Sequence, residues 1–184
     1  IQRFLARADD VLEDQGILYP KTGRPDTTWS NQHGQHELYW SLVGKHGIEG
    51  DQVWHELRRE IDAFSGKTVV LSAEGYEYIG TRDIQRTLEY LQPHSVRVIV
   101  YLRPPLHLLK SAYTQRVKMG TYSGPFNRFV EEQTPRCNYL ELVHQWRQFD
   151  DVESIEIRLF DKVRRDPGLE ASFADAAGID FEQV

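Results

Sequence analysis

Arg103 and Ser111, an arginine followed eight positions later by a serine, form the pairing in this chain that points most directly to a ligand. Val96 to Leu102 is a largely β-branched, apolar run that ends at Arg103 and reads as a buried strand. Pro104 and Pro105 then open a helix that carries Ser111. A guanidinium offers a planar fork of donors that suits phosphate oxygens. The start of the following helix adds the positive end of its dipole. Ser111 lies about 10 Å along that helix at 1.5 Å per residue, a distance the arginine side chain can span by lying against it. The same spacing would also arise from an arginine paired with a carboxylate and a serine that is merely tolerated.

Glu74 follows the strand predicted at Lys67–Ser72 and should lie at the same sheet edge as Arg103. A carboxylate there can take a proton from an attacking hydroxyl, a task that a modest burial-driven rise in its pKa would suit. A solvent-facing loop glutamate, or a partner for Arg103, is the plainer alternative. His33 and His36 are spaced to offer two nitrogens to a metal, but no third ligand is close in sequence and Gly34 interrupts a helical site. A polar loop is the reading there, with His36 held as a candidate to contact an acceptor or assist Glu74. Trp29, Tyr39, Trp40, Tyr76 and Tyr78 flank these segments and could stack on sugar rings or simply pack a core.

These residues need a scaffold. Ile1, Phe4, Leu5, Ala8, Val11 and Leu12 recur at helical spacing up to Gly16, and Ile17–Tyr19 is short and extended. Residues 21–34 are a polar loop, and a helix follows at about residues 35–45. Asp51 is placed to cap a helix striped by Trp54, Leu57, Ile61 and Phe64, and Thr81 to cap one carrying Ile84, Leu88 and Leu91. After the strand at 96–102, a helix over 104–118 should turn Leu106, Leu109, Tyr113 and Val117 inward. Helices near Phe126–Glu132 and from Asn138, a strand at Ser154–Phe160 and a last helix at Leu169–Ala177 complete the pattern. Strands alternating with crossover-length helices predict an α/β fold, a three-layer parallel sheet with helices on both faces. Ligands of such sheets bind outside the carboxyl ends of the strands. That edge would carry Glu74, Arg103 and Phe160-Asp161-Lys162.

Composition bounds the ligand class. The 184 residues suit one domain, 1–184. A net charge of −6 argues against a nucleic-acid partner but allows a local basic pocket. The single cysteine, Cys137, excludes an intrachain disulfide and a multi-cysteine zinc site. No apolar run approaches the roughly 20 residues of a transmembrane helix, so a cytoplasmic or membrane-peripheral protein is expected.

Tyr101-Leu102-Arg103-Pro104-Pro105-Leu106-His107-Leu108-Leu109-Lys110-Ser111-Ala112-Tyr113-Thr114-Gln115 resembles the 3′-phosphate-binding segment of sulfotransferases that use 3′-phosphoadenosine 5′-phosphosulfate (PAPS). The Ser-x-Tyr-x-Gln continuation is similar to the carbohydrate, heparan-type branch. Gly16–Pro20, Leu71–Glu74 and Arg158–Asp161 resemble segments of bacterial members in the same order. The resemblance implies a P-loop sulfotransferase-like fold, PAPS as cofactor and 3′-phosphoadenosine 5′-phosphate as product, with no metal. It implies Arg103 and Ser111 as the 3′-phosphate ligands, Glu74 as the base, and a saccharide or other hydroxyl as acceptor. Lys21-Thr22-Gly23 looks like the family's phosphosulfate loop, but no apolar strand leads directly into it and no helix follows at once, so it reads as ordinary loop. Ile1–Leu5 instead resembles the helix just after that loop. The fold is therefore expected to be truncated at the N-terminus, lacking the first strand and the loop, as a fragment of a longer chain. Arg164, Arg165 and Lys118 read as solvated charges. A nucleotide-dependent kinase of related architecture, or a non-catalytic module binding a nucleotide or polysaccharide, are the competing expectations.

Overall fold

The helical stripe at the start of the chain forms two short helices, α1 (Gln2–Arg7) and α2 (Asp9–Asp14), in a computed structural model that describes residues 1–26 and 32–184. The break falls at Ala8 (φ −100°, ψ 9°), so the apolar stripe turns a corner instead of running straight. Gly16, in the left-handed region at φ +73°, reverses the chain into β1 (Ile17–Leu18). That strand pairs in parallel with β2 (Thr68–Val69), Ile17 opposite Thr68 and Leu18 opposite Val69. Between them lie α3 (His36–Val43), ended by the left-handed Gly44, and α4 (Gln52–Ala63), whose Val53, Trp54, Leu57 and Ile61 are buried. A 3-10 turn at Glu74–Tyr78 and α5 (Thr81–Leu91) follow β2.

The chain continues through β3 (Val96–Leu102), α6 (Pro105–Lys118), α7 (Phe126–Gln133), a 3-10 turn at Thr134–Cys137 and α8 (Tyr139–Arg147). β4 (Val152–Leu159) pairs with β3 and runs directly into a short helix, α9 (Phe160–Val163). The last helix, α10 (Leu169–Ala177), stops at left-handed Gly178.

The described residues divide into two units, one of Ile1–Val96 with Gly168–Val184, the other of Arg97–Pro167. The first has its core at Leu5, Leu12, Leu38, Trp54, Leu57, Ile84 and Phe173. Its two chain segments are joined by Phe4 against Phe181 (ring centroids 5.8 Å) and by paired bonds between the Gln15 amide and the Asp180 backbone at 3.2 and 2.8 Å. The second is built around Leu109, Phe129 and Trp146, with Tyr113, Tyr122 and Phe126 packed edge-on about the buried Phe129 cluster.

The chain is thus mixed α and β, but the single three-layer sheet expected from the alternation is not what the described residues form. β1 pairs only with β2, and β3 with β4, as two two-stranded sheets. β1 ends at Leu18, two residues before Pro20, which has no amide hydrogen to donate, and β2 ends at Val69, before Ser72, whose amide is taken by a side chain described below. Four smaller expectations are also corrected. Asp51 makes no capping bond and instead lies 3.5 Å from Arg86, and Thr81 is the first residue of α5, not its cap. β3 is half-buried throughout most of its length, and Leu106 and Val117 are exposed on α6 while Leu109 alone of that helix is buried.

Candidate functional site

In the first unit one side chain organises the segment that carries two of the candidate residues. Gln35, completely buried, donates through Nε2 to the Pro20 carbonyl (2.8 Å) and accepts through Oε1 from the Ser72 amide (2.8 Å). Its own amide donates to the Ser72 carbonyl (2.9 Å). The ends of β1 and β2 and the start of α3 are therefore stitched together by one residue, whose side-chain amide both donates and accepts. His36 and Glu74 follow this staple immediately, one residue after Gln35 and two after Ser72. Glu74 is exposed at the head of the 3-10 turn, while His36 is buried at the start of α3 with its ring stacked on Trp40 (centroids 5.9 Å, 25°). Gly75 lies against Tyr39: a Cβ at Gly75 would sit 2.0 Å from that ring, so only glycine lets the Glu74 turn approach α3 this closely.

The aromatic residues around Glu74 separate into two kinds. Tyr78 is 52% exposed, whereas the Tyr76 hydroxyl is buried and burial pushes its pKa well above the ordinary phenol value. Tyr39 is buried and Trp40 is held between the rings of His36 and His46. Trp29 lies outside the described residues.

Lys21-Thr22-Gly23 has a structural partner. The Glu60 carboxylate accepts from the Lys21 amide (2.8 Å) and the Thr22 amide (3.0 Å), occupying the donors that a phosphate loop would turn toward its ligand. Burial alone would raise the Glu60 pKa, but the Thr22 side chain, the two amides and the Arg24 charge outweigh it and hold the carboxyl below its ordinary value. The contribution of Glu60 to stability is therefore complete above the ordinary carboxylate pKa of about 4.3 and is lost as pH falls through its lower folded value. Glu60→Gln should remove part of the acid limb of a stability–pH curve while costing about 1–2 kcal/mol at pH 7, read by urea unfolding at neutral and acid pH.

The second unit holds Arg103 and Ser111. Arg103 ends β3 and is fixed twice: its carbonyl accepts from the Tyr139 hydroxyl (2.7 Å), and its guanidinium carbon lies 3.8 Å from the centroid of the Phe160 ring. Among the described residues it has no ion-pair partner, which removes the reading of an arginine spent on a carboxylate. Arg103 lines an open concavity of about 650 Å³ between the carboxyl end of β3, the start of α6, Tyr139 of α8, and α9 with the turn after it. Lys162 and Arg165 line it too, likewise without ion-pair partners among the described residues. Its acidic members are Asp161, whose Oδ2 lies 2.6 Å from His107 Nδ1, and Asp166. Leu102, Pro104, Pro105 and Leu159 supply apolar wall.

Ser111 is exposed on α6, one turn beyond His107 on the same helix face, and is not part of the concavity's lining. The helix start contributes less than expected. Pro104 and Pro105 have no amide hydrogen, and the His107 and Leu108 amides both donate to the Pro104 carbonyl (2.9 and 3.1 Å), leaving at most the Leu106 amide of the first turn for a ligand. The anion-binding capacity here belongs to side chains.

Sequence reasoning placed Phe160-Asp161-Lys162 at this edge but missed what they do. The stacking of Phe160 on Arg103 and the entry of Arg165 into the concavity depend on α9, a one-turn helix too short to leave a periodic signal. The structure places Arg103 and Ser111 in one unit and Glu74 and His36 in the other. No helix among the described residues is long and apolar enough to cross a membrane. Compared with known protein families, characterised proteins and solved structures, the chain finds no match.

Proposed function

We propose that this chain belongs to a PAPS-dependent sulfotransferase of P-loop architecture, acting on an acceptor hydroxyl, most readily that of a carbohydrate. The observation that carries the reading is Arg103 itself. It stands at the carboxyl end of a strand, unpaired with any carboxylate among the described residues, presented flat by Phe160 to a concavity that holds two further cations. That donor set fits a phosphate monoester, which needs bidentate and point-charge donors together. The strand–Arg–helix–Ser order of the resembled family supplies the assignment of that phosphate to the 3′ position. Lys21-Thr22-Gly23 does not serve as the family's phosphosulfate loop in this reading, since the amides of Lys21 and Thr22 are held by Glu60.

In this reading PAPS supplies an activated sulfuryl group for in-line transfer. Arg103, with Ser111 from α6, binds the 3′-phosphate and fixes the nucleotide's orientation. Glu74 accepts the proton of the attacking hydroxyl, and its exposure at the end of β2 leaves it open to an acceptor delivered from solvent. His36, buried and stacked, acts by holding the start of α3 beside the Glu74 turn, and exposed Tyr78 offers a ring face to a sugar.

Titration with 3′-phosphoadenosine 5′-phosphate and with adenosine 5′-phosphate tests the assignment. The former should bind at least 10-fold more tightly, and Glu74→Gln should leave that preference intact because the base does not touch the 3′-phosphate. Equal affinities for the two nucleotides would rule the reading out.

A further inference from the structure

We propose that the anion site at Arg103 extends to Lys162 and Arg165 and that His107, paired with Asp161, is its proton-gated member. The inference rests on the reading that this concavity takes a phosphoanion, and concerns which residues hold it and at what pH. Lys162 and Arg165 line the same concavity as Arg103, and neither has an ion-pair partner among the described residues. With the amides of the α6 start absent or already bonded, side-chain cations are the donors the site has.

His107 bears on that charge through Asp161. The imidazole Nδ1 lies 2.6 Å from Asp161 Oδ2, and Asp161 is one of the two carboxylates of the concavity, the other being Asp166. While His107 is neutral, three cations face two carboxylates. Protonation turns the His107–Asp161 contact into an ion pair and cancels the nearer carboxylate, so the excess positive charge rises from one to two. His107 also stands one helical turn before Ser111 on the same face of α6, which sets its charge on the path between the concavity and that hydroxyl.

The other charged groups near this end of α6 are Lys110 on the helix itself, Arg103 at the end of β3, and Lys162, Arg165 and Asp166 around α9. α8 contributes the Tyr139 hydroxyl, bonded to the Arg103 carbonyl. α7 and the 3-10 turn after it bring Arg128, Glu131, Glu132 and Arg136, but α7 meets α6 around Tyr113 and Arg116, well over a turn further on. Among the described residues the carboxylate bonded to the imidazole is that of Asp161. A proton taken up by His107 adds its charge beside Asp161, so anion affinity at this site should rise as pH falls.

Inorganic sulfate is the probe, because it remains a dianion over the whole range and any pH dependence belongs to the protein. Binding of sulfate to the full chain, followed by NMR titration between pH 8 and pH 5.5, should tighten about 3- to 10-fold on acidification. His107→Gln should flatten that dependence, while His94→Gln, an exposed histidine of the other unit, keeps it. Asp161→Asn should tighten sulfate binding at pH 8 by a similar factor by removing the carboxylate outright. Lys162→Ala and Arg165→Ala should each weaken binding several-fold at every pH. A dependence that survives in His107→Gln, unchanged affinity in both cation variants, or no sulfate binding at all would overturn the proposal. If sulfate behaves as described but the 3′-phosphorylated nucleotide gains nothing over adenosine 5′-phosphate, the anion site stands and the sulfotransferase reading fails. If the nucleotides differ as expected and His107→Gln keeps the full slope, the failure is confined to this proposal.

Discussion

Arg103→Ala is expected to weaken binding of 3′-phosphoadenosine 5′-phosphate by about 30- to 100-fold. A hydrogen bond to a charged group contributes about 1.5–3 kcal/mol, and every 1.4 kcal/mol is a factor of ten in affinity. The guanidinium makes no ion pair among the described residues, so the change is in the ligand's favourable interactions and not in relief of an internal pair. Stability should move far less. Alanine removes chiefly the stack on Phe160, and a cation–π interaction at a half-exposed site contributes about 0.5–1 kcal/mol. The Tyr139 bond is to the Arg103 carbonyl and survives the change. Arg103→Lys keeps the charge but neither the fork nor the flat stack, and should recover only part of the affinity. Adenosine 5′-phosphate, without the 3′ group, should bind wild type and Arg103→Ala alike. Calorimetric titration of the two nucleotides against the three proteins, with urea unfolding alongside, reads all of this. Equal loss for both nucleotides would show that Arg103 does not address the 3′-phosphate.

The second large effect is on folding. Gln35→Leu should destabilise the first unit by about 2 kcal/mol, because the half-buried Ser72 amide loses its partner, while the Pro20 carbonyl keeps only the bond from Arg24 Nε (2.8 Å). An orphaned buried group costs about 1–3 kcal/mol, and leucine, although apolar and of similar size, cannot satisfy it. The bond from the Gln35 amide to the Ser72 carbonyl is backbone and remains, so the Ser72 amide is the one group left without a partner. Gln35→Glu is expected to be worse still, since it sets a buried carboxylate against the Pro20 carbonyl. Gln52→Ala, at an exposed glutamine bonded to Glu56 one turn on, should change stability by less than about 0.5 kcal/mol. Urea unfolding of the four proteins at pH 7 measures the difference. A Gln35→Leu protein as stable as wild type would mean that the staple is incidental. Because Glu74 follows Ser72 by two residues, the same variant should disturb the candidate base without touching it.

Local signals carried much of the fold. β3 occupies the span of its β-branched run, and α10 ends where Gly178 adopts the left-handed conformation that a helix stop requires. α8 begins beside Asn138, where the sequence reading started that helix, and Asn138 accepts from the Glu141 amide at 3.2 Å. What was illegible depends on partners distant in sequence. Nothing near Ser72 announces that Gln35 will claim its amide, and nothing near Lys21 announces the Glu60 carboxylate. Leu106 and Val117 fit the inward stripe of α6 by spacing, yet both are exposed, since spacing defines a face and not what covers it. For the candidate site, strand order placed Arg103 and the Phe160–Lys162 segment at one edge. The charge balance around them depended on the convergence of α9 with β3, which no single segment encodes.

The division of the chain has a consequence for how the protein is made. Arg97–Pro167 is inserted between the two segments of the first unit, so the ribosome completes the whole second unit before it reaches Gly168–Val184. Until then Phe4 lacks Phe181, the Gln15 amide lacks Asp180, and Phe173 and Ala174 are not yet there to complete the core. During synthesis the later-made unit therefore has all of its own chain in hand while the earlier-made one waits with apolar side chains uncovered, the interval in which a nascent chain most needs a chaperone.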